Sequence, residues 1–550
     1  MSSVYLNLQK RVITNIVKMK KSILSLPIYL FAFPIYYVLN LFAQNASEIQ
    51  FGVVIRPVLI VSLITLIFYG LTRFVFKKID SSSFFAFFLL CFFLFYGAIY
   101  AYLRIHPVLG INLGRHVFLG LIGLAITGVV FLLFLLRKIT IKGNFTIFMN
   151  IATGGLLLFA FVTIISASSK YGSVNSSRTS LPNNAAQKAW LKDVSQPIDI
   201  NAQAVLPDIY YIIPDMFARS DAIENETGYD NAEFLADLED LGFYVAQCSR
   251  SNYTSTQLSI ASSLNLHYLD QIQDGMTDRV MLVNPMSDSL LRNSLESIGY
   301  QVVVFDNGFG LPELRNADFA IGIDEKPFLI RPYNAFENLI VNNSVLRVFY
   351  DVNFDKLSRL YDRIFFPYRD HVNIQKNIFD QLPNLEDIRG PKFVFVHIMM
   401  PHPPYLIRAD GTIETDSRYY REALGQPVSE ELYLEGYLMQ VQYVQNRLYD
   451  AVSEILEESE TEPIIIIQGD HGIRYENRLE ILNAYYVPPE IQKKFYATIT
   501  PVNTFRVLLD GLFGTNYGLL EDVSWYSEYP EWFEMQIDPE HNPSCQLQGK

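Results

Sequence analysis

Apolar residues are distributed along this chain in two different ways. In the first 169 residues they form long unbroken stretches, at 23–43, 53–72, 84–103, 117–136 and 145–169. Each approaches or exceeds the roughly 20 residues that a helix needs to cross a bilayer. Four of the five contain no charged residue, and the second holds only Arg56 near its start, where a long side chain can snorkel to the interface. The pattern predicts a five-helix transmembrane domain over 1–169.

From residue 207 the rhythm changes. Short β-branched or aromatic runs, IYYII at 209–213, QVVVF at 301–305, FVFVHIM at 393–399 and IIIIQ at 464–468, alternate with amphipathic stretches at 230–241, 287–298 and 430–457. Continuous apolar runs between helices predict an α/β domain over 207–550, with a mostly parallel central sheet covered by helices on both faces. The intervening 170–206 is rich in Ser, Asn, Gln and Pro and reads as a linker with a short helix around Trp190. No repeat of 20 to 50 residues is apparent.

Charge follows the same division. Of the 43 Lys and Arg, 15 lie up to Lys170 with only Glu48 and Asp80 opposing them, whereas the remainder carries 28 against 55 acids. An acidic second half argues against a nucleic-acid partner. Lys10, Arg11, Lys18, Lys20, Lys21, Arg73, Lys77, Lys78, Arg137, Lys138 and Lys142 fall on one side of the spans, and Arg56, Arg104 and Arg115 on the other. This bias predicts a cytoplasmic amino terminus in a plasma (inner) membrane. Five crossings then place the second half outside the cytoplasm, where lipids and glycans are at hand and nucleotides are not. The basic start leads into a full-length span without a small-residue cleavage site, so no cleavable signal is expected. No span is built around a charged pathway, which favours anchoring over transport. Phe 40 and Tyr 34 exclude a disordered chain, and three cysteines exclude a small disulfide scaffold. Cys248 and Cys545 lie in the outer half, where an oxidising compartment would allow them to pair.

In open α/β sheets ligands bind beyond the carboxyl ends of the strands. Here those ends carry Pro214-Asp215, Pro401-His402-Pro403-Pro404 and Gly469-Asp470-His471-Gly472. Carboxylate and imidazole from separate strands are the ligand set of a divalent ion such as zinc or manganese, and flanking glycines would let the chain approach it. The segment SNYTSTQLSIASSLNLHYL at 251–269 adds a hydroxyl-rich turn leading into an apolar helix near Thr256. A hydroxyl there would sit at a helix amino terminus, where anions are favoured and a metal can activate an alcohol. Thr254, Ser255 and Thr256 all qualify.

The order strand-Asp, Thr at a helix start, strand-PHPPY and strand-GDHG resembles the sulfatase-like branch of the alkaline phosphatase superfamily. With five preceding spans it is similar to the membrane-embedded lipoteichoic acid synthases and phosphoethanolamine transferases. The resemblance implies Thr256 as nucleophile, because Ser259 and the small-residue run from Ala261 to Leu264 follow it at the family's spacing. It implies a metal, zinc or manganese with magnesium or calcium as further options, held by Asp215, Asp470, His471 and Thr256. His402 matches the substrate-side histidine, with His397 or Arg219 as its partner. The implied activity is transfer of a phosphoethanolamine- or phosphoglycerol-like head group from a phospholipid donor, via a Thr-bound intermediate, to an envelope glycan or lipid. A phosphate or sulfate ester hydrolase of the same fold and an inactive envelope-assembly scaffold are the alternatives. The chain departs from the pattern in three places. No C-x-P-S-R motif is present, Cys248 being followed by SRSNY; IRYENRLEI after GDHG lacks the transferases' further Glu and His; and Asp215 stands where they have Glu.

Overall fold

The computed structural model describes residues 26–45, 51–106, 113–136, 143–170, 185–198, 206–272, 282–308, 314, 317–322, 334–348, 368–420, 428–473, 478–528, 531, 533–538 and 545. They pack as two units, 1–175 with 326–367, and 176–325 with 368–550.

Hydrophobic helices form the first unit: α1 Tyr29–Gln44, α2 Ile55–Phe76, α3 Ile79–Ile105, α4 His116–Leu135 and α5 Gly143–Lys170. Four of them are long and apolar enough to cross a membrane, while α1 has 16 residues and the expected span 23–43 begins outside the described residues. Leu63 on α2 and Leu124 on α4 are 58% and 72% exposed. Helices apolar all round with bare leucines on their outer faces are made for a hydrocarbon surrounding.

A second stretch of chain joins this unit from far along the sequence. Asn334 and Glu337 form a reciprocal cap at the start of the helix Ala335–Asn343, each satisfying a backbone N–H that the first turn leaves open. Phe336 is buried beside Phe42, and a Cβ on Gly97 of α3 would lie 1.9 Å from the Asn342 carbonyl oxygen, so a glycine is required at this approach. Glu337 accepts from both Nε and Nη2 of Arg56, 281 residues earlier. Arg56 is therefore held by a buried carboxylate in addition to any snorkelling, a partnership its local sequence does not announce.

The second unit is built on a seven-stranded sheet of β1 Ile209–Pro214, β2 Tyr244–Val245, β3 Gln301–Phe305, β4 Phe319–Ile321, β5 Lys392–Ile398, β6 Ile464–Gln468 and β7 Asn483–Tyr486. Their order is β2-β7-β6-β1-β5-β3-β4. The sheet is mixed. From β6 to β4 the neighbours run parallel, while β7 pairs antiparallel with both β6 and β2. Every residue of β1, β5 and β6 is buried, which is why these runs are apolar without alternation. Ile209, Tyr211 and Ile213 share one core cluster with the helices α8 Thr256–Asn265, α9 Leu290–Ser297 and α12 Pro501–Phe513. The helices α10 Arg369–Gln381 and α11 Glu430–Glu458 meet through Phe379 and Tyr443. Two further helices complete the expected pattern, α7 Ala232–Asp240 within the unit and α6 Ala185–Val194 within the presumed linker. Leu191 and Trp190 of α6 pack on the core of this unit, so that part of the linker belongs to it.

Candidate active site

Two neighbouring strands, β1 and β6, deliver the acidic residues. Asp215 follows β1 and Asp470-His471 follow β6, two positions after Gln468. Gly469 permits this because a Cβ there would lie 2.4 Å from the Phe217 carbonyl oxygen. The first glycine of GDHG thus lets two backbones touch, a different service from the close approach to an ion that the sequence suggests. On the opposing chain Met216 adopts φ 68°, a conformation costing a non-glycine residue roughly 1 to 3 kcal/mol. Its N–H donates to Asp470 Oδ1 at 2.9 Å, and its carbonyl accepts from the Tyr437 hydroxyl at 3.1 Å. The strained residue is pinned on both sides, and it orients a carboxylate.

Asp215, Asp470 and His471 are 1%, 2% and 2% exposed, and each offers a ligand atom within 4.8 Å of the others'. Asp215 Oδ1 and Asp470 Oδ2 have no hydrogen-bond partner among the described residues. Two buried carboxylate oxygens left without protons to accept are costly unless a cation lies between them. His471 completes the fit. Its Nδ1 lies 3.0 Å from the Gly472 carbonyl oxygen; an N–H there donates outward and leaves the Nε2 lone pair facing the carboxylates. Burial lowers the pKa of His471, and nearby Arg478 lowers it further against the opposing pull of Asp470 and Asp215. Burial works to raise the Asp215 pKa, but His402, His397 and His471 outweigh it and hold the carboxyl below the usual range. A neutral imidazole beside ionised carboxylates suits a divalent ion.

The hydroxyl-rich turn resolves into two kinds of threonine. Thr254 is fully buried and its Oγ1 is engaged with Ser527, 3.0 Å from the carbonyl oxygen and 2.9 Å from the hydroxyl. Thr256 is the first residue of α8, with Ser255 at the cap position, and its Oγ1 lies 3.4 Å from His471 Nε2. The loop between is tied to the acidic rim by Ser251, whose hydroxyl donates to the Asp470 carbonyl at 2.5 Å and lies 2.8 Å from Ser259 Oγ. Ser259, which the sequence marks only by spacing, donates to the Tyr253 carbonyl at 2.9 Å. Residues from near the end of the chain brace the same loop. The Trp525 N–H donates to the Asn252 carbonyl and the Ser524 hydroxyl to the Ser251 carbonyl, both at 2.8 Å. Arg250 pairs with Asp538, and a disulfide joins Cys248 to Cys545. β8 Trp525–Tyr526 and β9 Gln536–Ile537 pair antiparallel, and Trp525 bridges to Tyr253 of this loop.

β5 carries His397, and His402 follows four residues beyond its end. His397 is buried with Nε2 3.4 Å from Asp215 Oδ2. His402 is half-buried, its Nδ1 2.7 Å from the Pro403 carbonyl oxygen. Arg219 is engaged elsewhere: Nε and Nη2 donate to the two oxygens of Asp221 at 2.7 and 2.8 Å, and Nη1 to the Ser249 carbonyl at 3.0 Å. Its fork is filled by an acid two residues away. The cation beside the site is instead Arg478, with Nη2 3.4 Å from His471 Nε2 and Nε donating to the Thr254 carbonyl at 2.7 Å. Sequence reasoning passed over Arg478, whose only signal is its closeness to GDHG. His371 on α10 is the other residue missed. Burial, with His402 adding to it, pushes its pKa down to about 4.

No family model and no curated protein matches the chain. Among solved structures it is similar to the C-terminal periplasmic domain of EptC from Escherichia coli, with TM-score 0.39 and 12% identity over 64% of this chain and 98% of that one. It is similar also to the integral membrane lipooligosaccharide phosphoethanolamine transferase A (EptA) from Neisseria meningitidis, with TM-score 0.35 and 12% identity over 89% and 95%. A glycosaminoglycan-metabolism protein from Bacteroides thetaiotaomicron, BT33494S-sulf, gives 0.33 and 16% over 56% and 73%.

Proposed function

We propose that this chain is a metal-dependent phosphotransferase, anchored in a membrane by its amino-terminal helices with the second unit outside the cytoplasm. It moves a phospholipid head group to a glycan or lipid hydroxyl by way of Thr256. One observation carries this reading: Thr256 Oγ1, at the first residue of a ten-residue helix, lies 3.4 Å from the Nε2 of a buried histidine flanked by two carboxylates. Asp215, Asp470 and His471 would hold a divalent ion, zinc or manganese, which when bound favours the threonine alkoxide and offsets phosphoryl charge.

Thr256 Oγ1 attacks phosphorus in line, and the bond to the lipid alcohol breaks as the new P–O bond forms. The N–H groups of the first turn of α8 face the incoming anion and stabilise its charge. His402, half open to solvent, contacts the substrate and donates a proton to the departing alcohol. A hydroxyl of the acceptor then displaces Thr256 and gives its proton to the threonine oxygen, while the proton that Thr256 lost in the first step restores His402 through solvent.

The test is peptide mass spectrometry of the full chain after incubation with a mixed bacterial phospholipid extract and Mn²⁺ or Zn²⁺. The peptide containing Thr256 gains the mass of a phosphorylated head group, and Thr256→Ala removes the adduct. An adduct on Thr254 would overturn the assignment. Turnover of soluble phosphate or sulfate esters without adduct or acceptor would make the protein a hydrolase, and silence in every arm with metal bound would favour a scaffold.

A further inference from the structure

One stripe of α11 touches both halves of the site. Tyr433, Gly436, Tyr437 and Gln440 are spaced i, i+3, i+4 and i+7, so they share one side of the helix over about 10 Å. All four are buried. The tyrosines hold the acidic rim. The Tyr437 hydroxyl donates to the Met216 carbonyl at 3.1 Å and accepts from the Ala218 N–H at 3.2 Å, and the Tyr433 hydroxyl lies 3.8 Å from Met216 Sδ. Met216 in turn orients Asp470 through its own N–H. The other two residues hold the turn from Pro401 to Pro404. A Cβ on Gly436 would lie 2.2 Å from Tyr405 Cδ2, so the ring that follows the turn rests directly on the helix. Gln440 Nε2 donates to the carbonyls of His402 and Pro404 at 3.2 and 3.3 Å.

These two bonds answer a need set by the sequence. In Pro-His-Pro-Pro only His402 carries a backbone N–H, so the turn has four carbonyls and a single donor of its own. An outside donor supplies what the prolines lack. Gln440 does so against its own solvation: it is 0% exposed, and its Oε1 has no hydrogen-bond partner among the described residues. A Met or Leu would fill the space without that orphan acceptor. The amide is explained by what its other atom holds, the backbone of His402. The imidazole is tied to the same turn, its Nδ1 lying 2.7 Å from the Pro403 carbonyl oxygen, which leaves Nε2 for the substrate.

We infer that Gln440 is a positioning residue for His402, and that the stripe on α11 fixes where His402 stands relative to Asp470. The inference rests on the reading of His402 as the substrate-side residue and names the group that places it. Met216 and the proline turn are fastened to one rigid element, so their separation is kept when a substrate presses on the turn.

The test is a double-mutant cycle in the full chain: wild type, Gln440→Met, His402→Gln and the double variant, with Gln440→Leu as a second apolar replacement. Each receives Mn²⁺ and micelles of phosphatidylethanolamine and phosphatidylglycerol, and the growth of adduct on the Thr256 peptide is followed by mass spectrometry against lipid concentration. Tm and Mn²⁺ affinity are measured alongside. Gln440→Met should lower the efficiency of adduct formation about fivefold, through the same quantity that His402→Gln changes, limiting rate or half-saturating lipid, while Mn²⁺ affinity and cooperative unfolding are retained. In the His402→Gln background Gln440→Met should have no further effect. Equal losses from Gln440→Met with and without His402 overturn the inference, as does a collapse of Tm in both apolar variants, since the amide would then only support the fold. A fully active Gln440→Met beside an impaired His402→Gln overturns it alone. An unimpaired His402→Gln overturns the reading of His402 and the inference with it, and a wild type that forms no adduct overturns the reading of Thr256 and the site that Gln440 would serve.

Discussion

At the end of β6, Asp470 and His471 are buried and held by Met216, by Gly472 and, from the loop that carries Thr256, by Ser251. At the end of β5, His402 is half-buried, and the hydrogen bonds around it are a contact to the neighbouring Pro403 carbonyl and one from Gln440 to its own carbonyl. The first region has little freedom and the second retains some. Under the proposed function this is the expected division, with groups that must meet within a few tenths of an ångström over-determined and a group that greets a bulky substrate left more accessible.

The sharpest way to break this contrast is Thr256→Ala. Turnover should fall by at least about 1000-fold, as expected for a covalent nucleophile, while stability changes by less than about 1 kcal/mol for one hydroxyl at a helix start. An active Thr256→Ala beside an inactive Thr254→Ala would invert the assignment. Ser251→Ala comes next. It removes the hydroxyl linking the nucleophile loop to the Asp470 carbonyl, and should cost about 1 to 3 kcal/mol in chemical denaturation and about tenfold in kcat, with Mn²⁺ affinity retained. A metal-binding defect would mean that the loop and the acidic rim are one structure and not two that dock. His402→Gln should act mainly on the lipid substrate, with KM rising about tenfold and stability untouched; a larger fall in kcat than rise in KM would assign it to proton transfer.

The smallest effect concerns pH. His371 is half-buried with its pKa pushed down to about 4, and its Nε2 has no hydrogen-bond partner among the described residues. Below about pH 6.5 the unfolded chain takes up a proton that the folded ring refuses until about pH 4. Stability from this group is therefore intact above pH 6.5 and lost as the pH falls toward 4. His371→Gln should flatten the decline of Tm over that window, and equal slopes in the two proteins would exclude His371 as its source.

The sequence disclosed features whose cause is local. The runs at 209–213, 301–305, 393–399 and 464–468 became β1, β3, β5 and β6 because strands buried on both faces must be apolar throughout. The strand β7 reads Asn-Ala-Tyr-Tyr and gives no such run, and β2 and β4 span two and three residues. The antiparallel side of the sheet went unseen for that reason. Thr254 and Thr256 differ through Ser527, 273 residues away from Thr254, a contact that no spacing contains. Arg219 is the opposite case, since an aspartate two positions on was in plain view. The reciprocal cap at Asn334 and Glu337 is legible as a helix start, but the packing of that helix against α3 depends on a glycine at 97, far back in the chain.

The brace on the loop that carries Thr256 has a consequence for synthesis. Ser524, Trp525, Ser527, Asp538 and Cys545 follow every other residue of the site in the chain. If the second unit is exported as proposed, Asp215, Thr256, Asp470 and His471 emerge while the loop that carries the threonine still lacks its outer support and its covalent tie. Under the proposed reading competence arrives last, after translocation and thiol oxidation, so a chain that stalls or is clipped before residue 524 should keep its candidate ligands while the loop that carries Thr256 is left unbraced.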